Sequence, residues 1–323
     1  YDTVPTLRKK VAEIAGQQQE ESINAEIRHR LDADTRDRGI FSQVHVWPDS
    51  DAVADSQNMR LVVLSPDDGE AEALTMLLHN GRKYKNTLLF LKADPQKLGQ
   101  LREVVRTYLA WLSVERESDT LNLTKQQAKE TKVNLQKCSD ELDRLTRETW
   151  SVILVPTSMQ GGRTDSITWR TVKAKNVGTL TERVASALTG DDLSQKMTAE
   201  SLSMELDNLL WKGSDDIEIK TLWENLCTYC YLPRVLNFGV LSSAIKAGMS
   251  EGKYFALAEG RSGGKYEGLT LDAPFEVKDS DYLVKRELAE KLITPEPTTS
   301  TTTEQPHTQT PKIIIEPAHP EVP

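Results

Sequence analysis

Short runs of uninterrupted apolar residues, each followed by an amphipathic stretch, most restrict how this chain can fold. Leu61–Leu64 and Thr87–Leu91 each predict a strand buried on both faces, and Val44–Val46 predicts a shorter strand. Helices are predicted over Glu70–His79 and Leu98–Val114. Buried strands that alternate with helices are typical of a parallel sheet covered on both faces. The predicted fold class is therefore α/β, with a mostly parallel sheet and flanking helices.

A long polar helix is predicted over Leu123–Glu148. Its apolar residues Leu135, Cys138, Leu142 and Leu145 form a narrow seam with coiled-coil spacing. The seam is too short for a free coiled coil, so we expect this long helical arm to pack as a hairpin against a neighbouring helix. The remaining elements predicted before residue 180 are one helix over residues 6–31 and strands over Trp150–Val155 and Ile167–Val172.

Beyond residue 181 the predicted elements follow the order of a winged-helix domain: helix, strand, helix, helix, strand, wing, strand. Gly260–Gly264 supplies a glycine-rich hairpin turn for the wing. The elements are a helix that closes at Trp211, a strand at 217–219, helices over 220–231 and 235–247, and strands over 253–258 and 265–271.

Four segments follow from these patterns. Residues 1–40 form an N-terminal helix, 41–180 an α/β domain with long helices, and 181–292 a winged-helix-like domain. Residues 293–323 form a Pro/Thr-rich linker that cannot build a core and is predicted to be disordered, with Ile313–Ile315 as a candidate docking strand. Because the first residue is Tyr1 rather than Met, we expect the chain to belong to a longer or processed protein.

The amino-acid composition indicates which kinds of partner the chain can bind and in which cellular compartment it is expected. The 323 residues carry 40 lysines and arginines against 49 aspartates and glutamates, a net charge of -9. Such a chain has no overall electrostatic attraction for nucleic acid, although a local basic patch is compatible with it. Three cysteines make no disulfide framework, which favours a reducing, cytoplasmic location. No apolar run approaches the roughly 20 residues that span a membrane, so no membrane partner is predicted.

Two stretches resemble nucleotide-binding elements but lack essential residues. The strand that ends at Asp94 looks like the magnesium-binding strand of P-loop ATPases, yet Pro95 follows it and no phosphate loop precedes it. Gly260–Lys265 departs from the G-x-x-x-x-G-K-[ST] pattern and is followed by a strand rather than a helix. We therefore predict a helix cap at Asp94 and a hairpin turn at the glycines, with no catalytic or cofactor-binding residue in the chain.

Cys227 and Cys230 form a C-x-x-C pair, a pattern shared by zinc and redox sites. No second pair or nearby histidine completes four zinc ligands, and the pair lies late in a predicted helix rather than at its N-terminus. We predict that both thiols pack in a core, and no metal site is predicted. The histidines, none with a second ligand at metal spacing, are His29, His45, His79, His307 and His319.

Four cations around the predicted winged helix are the candidate contacts for nucleic acid or another partner. Arg234 precedes the third helix, Lys246 is the only charged residue of that helix, and Arg261 and Lys265 lie in the wing. Useful affinity for phosphates needs several such side chains, so a structural or protein-binding winged helix is favoured over a DNA reader. Five further cations are interpreted as a scattered solvated surface: Arg82, Lys83, Lys85, Arg102 and Arg106.

An ordered set of motifs, spread over about Tyr1 to Leu292, resembles one family. The set consists of Arg60–Pro66, Asn86–Asp94, Tyr108–Trp111, Leu121–Leu123, Trp150–Pro156, Leu206–Asp207 with Trp211, Tyr231–Arg234 and Lys265–Leu269. Together these segments are similar to the large bacterial and archaeal ATPases of the domain-of-unknown-function four-nine-nine family.

The resemblance implies the setting in which the chain works. Members of that family are long, AAA-like P-loop ATPases, often encoded beside DNA methyltransferases and helicases in phage-defence or restriction-like clusters. The family's phosphate loop and magnesium-binding acid would lie upstream of Tyr1, so ATP and magnesium would belong to the parent protein. Tyr1–Lys10 would follow the missing nucleotide-binding core, with Arg8 as a candidate nucleotide-sensing residue.

Three functions stay open on the sequence. The first is a non-catalytic part of such an ATPase, which couples nucleotide state to a protein or DNA partner, with the methyltransferase and helicase as expected partners. The second is a free-standing interaction scaffold without ATPase activity. The third is a winged-helix nucleic-acid-binding module.

Overall fold

A computed structural model describes residues 4–161, 166–190 and 192–294. They form a five-stranded sheet with helices on both faces, followed by a three-stranded sheet with helices of its own. We call residues 4–190 the sheet unit and residues 192–294 the C-terminal unit. The predicted linker, with Ile313–Ile315, lies outside the described residues.

The sheet unit is built from six helices and five strands among its described residues. The helices are α1 (Val4–Gly16), α2 (Glu20–Asp34), α3 (Glu70–Leu78), α4 (Pro95–Arg116), α5 (Lys125–Thr149) and α6 (Leu180–Ala187). The strands are β1 (Gln43–Val46), β2 (Arg60–Val63), β3 (Leu88–Ala93), β4 (Trp150–Thr157) and β5 (Thr168–Lys173).

The strands of the sheet unit lie in the order β1-β2-β3-β4-β5. β1, β2 and β3 pair in parallel, whereas β4 is antiparallel to both β3 and β5. Four of the five strands therefore run in the same direction. The predicted α/β class, with a mostly parallel sheet and flanking helices, is confirmed at this level.

Both faces of the sheet are buried, as the uninterrupted apolar strands predict. Leu61 and Leu89 point to a core shared with α2, α4, α5 and α6. Val62 and Phe90 point to the opposite core, which α3 covers. α6 packs Leu180 and Val184 into the first core, and the predicted boundary at residue 181 stays a prediction.

The long helices α4 and α5 pack against each other as the predicted hairpin. Leu142 and Leu145 join the sheet core, and Leu135 and Cys138 pack around Trp111 with α1. α5 begins with a capping box in which Thr124 and Gln127 exchange hydrogen bonds. None of the helices in the described residues combines the length and apolar surface that a bilayer span requires.

The single helix predicted over residues 6–31 is wrong, because the chain breaks between Gly16 and Glu20. Leu7 and Val11 of α1 pack against the far end of α4, whereas Ile23, Ile27 and Leu31 of α2 pack on the sheet. One straight helix cannot pack against both surfaces.

The C-terminal unit has helices on one small antiparallel sheet. Its helices are α7 (Ala199–Glu205), which continues as one π-helical turn (Leu206–Leu210), α8 (Ile219–Thr228), α9 (Phe238–Ser250) and α10 (Arg286–Ile293). Its strands are β6 (Asp216–Glu218), β7 (Phe255–Ala258), β8 (Gly260–Ser262), β9 (Lys265–Glu267) and β10 (Tyr282–Lys285). The main sheet has the order β6-β10-β7, and β8 pairs only with β9.

The strand predicted over 265–271 is shorter than expected and does not enter the main sheet. β9 ends at Glu267 and forms a hairpin with β8, and only Thr270 bridges back to Leu257. The strand between β6 and β7 is instead β10, which the sequence pattern missed because Tyr282–Lys285 is too short to show a period.

Candidate partner-binding site at the junction of the two units

Arg234 lies inside the junction between the two units. It is 2% exposed, and its guanidinium donates three hydrogen bonds to backbone oxygens: Nε to Asn86 at 3.0 Å, Nη1 to Asp192 at 3.0 Å and Nη2 to Pro156 at 2.7 Å. Burial holds the pKa of Arg234 below its usual value. The prediction that Arg234 contacts nucleic acid or a partner is wrong, because the side chain is buried and these three N–H groups donate to backbone oxygens of this chain.

Asn86, at the entrance to β3, makes the reciprocal connection. Its Nδ2 donates to the carbonyl oxygens of Leu226 at 2.8 Å and Leu232 at 3.3 Å, both in the C-terminal unit. Nearer the surface, Lys83 Nζ lies 2.8 Å from Glu224 Oε2. Because buried carbonyls need hydrogen-bond partners, these contacts fix the two units to each other. The sequence holds no signal for this role of Asn86.

Cys227 and Cys230 pack in the junction, and both are free and buried. Burial raises the pKa of Cys227 to about 12, so the thiol is neutral near pH 7. The prediction of core packing is confirmed. The predicted helix was too long, since α8 ends at Thr228 and Cys230 follows it.

A groove of about 840 Å³ opens where the sheet unit meets α8 and α9. Its apolar wall contains Tyr84, Trp223 and Phe238, and the Trp223 and Phe238 rings meet nearly edge to face, with centroids 5.9 Å apart. Charged side chains of both signs surround these rings. The lining residues are Ser56, Gln57, Asn58, Tyr84, Lys220, Trp223, Glu224, Phe238, Glu276, Val277, Lys278 and Asp279.

Two buried arginines hold the loop that forms one side of this groove. Arg60 donates to Asn58 O and Ser56 O, each at 3.2 Å, and Arg82 Nη1 donates to Ala54 O at 2.8 Å. Burial and the nearby Arg82 lower the pKa of Arg60 to about 10. The loop is therefore held in shape before any partner arrives. Arg82 is 3% exposed, which corrects its placement on a solvated basic surface.

A second cleft, of about 560 Å³, opens on another side of the junction. At its edge Arg170 Nε lies 3.1 Å from Asp192 Oδ1, a carboxylate with 5% of its side chain exposed. The rest of the wall mixes polar and apolar side chains. Those contributed by the C-terminal unit include Glu205, Asn208, Leu209, Cys230, Tyr231 and Leu232.

Of the other three predicted contact residues, two have partners within the C-terminal unit and one is exposed. Lys246 Nζ donates to Phe275 O at 3.1 Å, Arg261 Nη1 lies 2.9 Å from Asp216 Oδ2, and Lys265 is exposed in the β8–β9 hairpin. The C-terminal unit carries 12 lysines and arginines against 17 aspartates and glutamates. Its cations are thus outnumbered and partly paired, which disfavours a phosphate-binding face.

Arg102 and Arg106 also lie near acids. Arg102 Nη2 lies 3.5 Å from Asp67, and Arg106 Nη2 lies 2.5 Å from Glu20. These pairs fit the interpretation of a solvated, mixed-charge face rather than a phosphate-binding patch.

The two nucleotide-like stretches have structural roles. Asp94 Oδ1 accepts a hydrogen bond from Gln96 N at 3.0 Å and caps α4, as predicted. Gly263 and Gly264, with φ of 57° and 79°, form the turn of the β8–β9 hairpin, which confirms the predicted turn. Neither stretch fits a nucleotide or magnesium ion. No group of three or more His, Cys, Asp or Glu side chains that could hold a metal ion occurs among the described residues.

Comparisons with protein-family models, curated proteins and solved structures find no match for this chain. The candidate site therefore stands on its own geometry, and the resemblance to the four-nine-nine family stays a prediction. Sequence reasoning missed the groove residues Tyr84, Trp223 and Phe238, because their juxtaposition comes from segments far apart in the chain.

Proposed function

We propose that this chain is a non-catalytic coupling part of a larger AAA-like ATPase, which transmits nucleotide state to a protein partner. The observation that carries the proposal is the junction around Arg234, where one guanidinium holds backbone from residues 86, 156 and 192. A joint with buried, charge-assisted hydrogen bonds moves as one body, so displacement of the sheet unit carries the C-terminal unit with it.

The proposal treats residues 192–294 as a winged-helix-like unit. Its support is the chain order α7, β6, α8, α9, β7, hairpin and β10, together with the sheet order β6-β10-β7. In this arrangement α9 would occupy the position of the reading helix, and the β8–β9 hairpin would form part of the wing.

A protein partner is favoured over DNA on electrostatic grounds. Lys246 is the only charged residue of α9, and Arg261 is engaged by Asp216. DNA affinity depends on several free cations along one face. The groove between the units instead offers aromatic side chains and mixed charges, the composition expected where proteins bind proteins.

The setting of the proposal comes from the family resemblance. ATP and magnesium would bind a core encoded upstream of Tyr1, in a cytoplasmic defence system. The methyltransferase and helicase encoded alongside such ATPases would be the partners.

The native protein, expressed with whatever its gene encodes upstream of Tyr1, tests the proposal. We expect a G-x-x-x-x-G-K-[ST] loop upstream, ATP hydrolysis by the whole protein, and none by residues 1–323 alone. Adding the neighbouring methyltransferase or helicase should change the hydrolysis rate. Arg234→Met should abolish that change while basal hydrolysis stays within about twofold, and the exposed Arg116→Met serves as the matched control.

Two alternatives predict different results in the same experiments. A free-standing scaffold predicts an open reading frame that begins near Tyr1 with no phosphate loop before it, which would contradict the coupling proposal. A nucleic-acid-binding module predicts salt-dependent binding to duplex DNA that weakens when Lys246, Arg261 and Lys265 are neutralised. Flat binding curves at low salt would reject that module.

A further inference from the structure

The groove between the units is apolar at its centre and continues onto an exposed aromatic residue. Trp223 and Phe238 lie edge to face in it, and Val277 on the facing wall is 3% exposed. Phe275 immediately precedes the wall segment 276–279 and is 99% exposed. Its carbonyl oxygen accepts the hydrogen bond from Lys246, so the backbone that presents the ring is tied to α9. Trp223 and Phe238 are partly covered by the core of the C-terminal unit, whereas the Phe275 ring is uncovered within the described residues.

The chain itself contains a segment with matching chemistry. Seven of the 14 prolines lie within residues 295–323, and the stretch Pro311–Pro317 places three isoleucines between two prolines. Proline-rich peptides bind aromatic-lined grooves because their rings stack on aromatic faces and little conformational entropy is lost. Lys312 and Glu316 flank the isoleucines with one charge of each sign, and the groove offers Glu276 and Asp279 beside Lys220 and Lys278.

The tail is also long enough and close enough to be the occupant. Sixteen residues separate Thr294 from Pro311, a reach of about 50 Å in the extended polyproline conformation. A compact body of this size has a radius of gyration of roughly 20 Å. Covalent attachment gives the tail an effective concentration near the millimolar range, so even a weak peptide site would be mostly filled.

We propose that Pro311–Pro317 of this chain docks in the groove formed by Tyr84, Trp223 and Phe238 and covers Phe275. The tail then competes with any other protein for the groove. This inference concerns the groove alone and is independent of whether the chain belongs to an ATPase.

Hydrogen exchange on the full chain tests the inference. The comparison is with a tail variant that carries Pro311→Ala, Ile313→Ser, Ile314→Ser, Ile315→Ser and Pro317→Ala. Exchange in segments 56–58 and 276–279 should be about tenfold faster in the tail variant. Phe275→Ala should give the same increase, because the ring has no packing to lose within the fold. Met159→Ala, an apolar truncation at another exposed position away from the groove, should leave exchange unchanged.

A peptide of residues 308–320 provides the second measurement. By calorimetry it should bind the tail variant and fail to bind the full chain, whose groove is already filled. Equal exchange in all variants, or absence of peptide binding to the tail variant, would overturn the inference. Protection that rises with protein concentration would also overturn it, since the occupant would then be the tail of a second copy.

Discussion

At the scale of single residues, the junction depends on an arginine that pairs with no carboxylate at hydrogen-bond distance in the part of the chain that the structure describes. Arg234 gives its guanidinium hydrogens to three backbone carbonyls instead. Because buried carbonyls without donors are costly, this side chain is worth more to stability than an exposed ion pair such as Arg144 with Glu141.

Arg234→Met should lower the free energy of unfolding by about 3 kcal/mol, because three buried carbonyls lose their donors. Urea denaturation followed by far-UV circular dichroism measures the change. Arg116→Met, at an exposed position near the end of α4, should change it by less than about 0.5 kcal/mol. Equal effects of the two substitutions would contradict the proposed role of Arg234.

The pKa of Cys227 predicts how stability depends on pH. Burial raises this pKa to about 12, whereas an unfolded thiol titrates near 8.5. The folded state therefore holds the Cys227 proton more tightly than the unfolded state does. The contribution of this thiol to the free energy of unfolding is complete below about pH 8.5 and is lost as pH rises towards 12. Between pH 9 and 11 the free energy of unfolding should decrease with pH, and Cys227→Ala should reduce the slope of that decrease by up to about 1.4 kcal/mol per pH unit. Val235→Ala, which removes apolar atoms from the same core but no titrating group, should leave the slope unchanged.

At the scale of secondary-structure elements, close packing decides positions that helix propensity leaves open. Gly248 lies in α9 where a Cβ would approach the Phe255 ring to 2.5 Å and the Ala199 Cβ to 3.1 Å. A Cβ added to Gly99 in α4 would have no other atom within 4 Å. Substitution by alanine should therefore destabilise the protein at Gly248 and stabilise it at Gly99.

Gly248→Ala should destabilise the protein by about 1–3 kcal/mol through overpacking of α9 against β7 and α7. Gly99→Ala should stabilise it by up to about 1 kcal/mol, the propensity gain of a helical alanine. Thermal unfolding of each variant shows whether its melting temperature is lower or higher than that of the wild type. A stabilising Gly248→Ala would mean that α9 can move away from β7 at little cost.

At the scale of the whole molecule, each unit has its own main hydrophobic core, and the two meet at a buried joint where Leu193 enters the sheet core and Tyr84 packs on the C-terminal core. The groove and the second cleft both open beside this joint. Units with independent cores unfold together only if the free energy of their contact is large.

Wild-type protein should show one calorimetric unfolding transition, because Asn86 and Arg234 link the cores. Asn86→Ala combined with Arg234→Met should split it into two transitions. Lys83→Ala, which removes the surface pair with Glu224 at the same junction, should leave a single transition. Two transitions already present in the wild type would show that the joint does not couple the units.

The local elements were predictable where periodicity was strong. Apolar runs identified β2 and β3, and the seam from Leu135 to Leu145 identified the α4–α5 hairpin, because each pattern reflects a buried face. Pro156 was expected to end β4, yet the strand continues to Thr157. The β3–β4 register reaches only Leu154, so the missing N–H of proline removes no bond to β3.

Composition and local spacing were enough to predict the sheet class, the helical hairpin, the acidic balance and the packing role of the cysteines. That Arg234 is internal, and that Tyr84, Trp223 and Phe238 share one groove, depends on contacts between segments far apart in the chain. Residues 86, 156, 192 and 234 are separated by tens of positions, and no short-range pattern records which distant carbonyls a side chain meets. Burial is a property of the folded packing, so the candidate site emerges only from the assembled molecule.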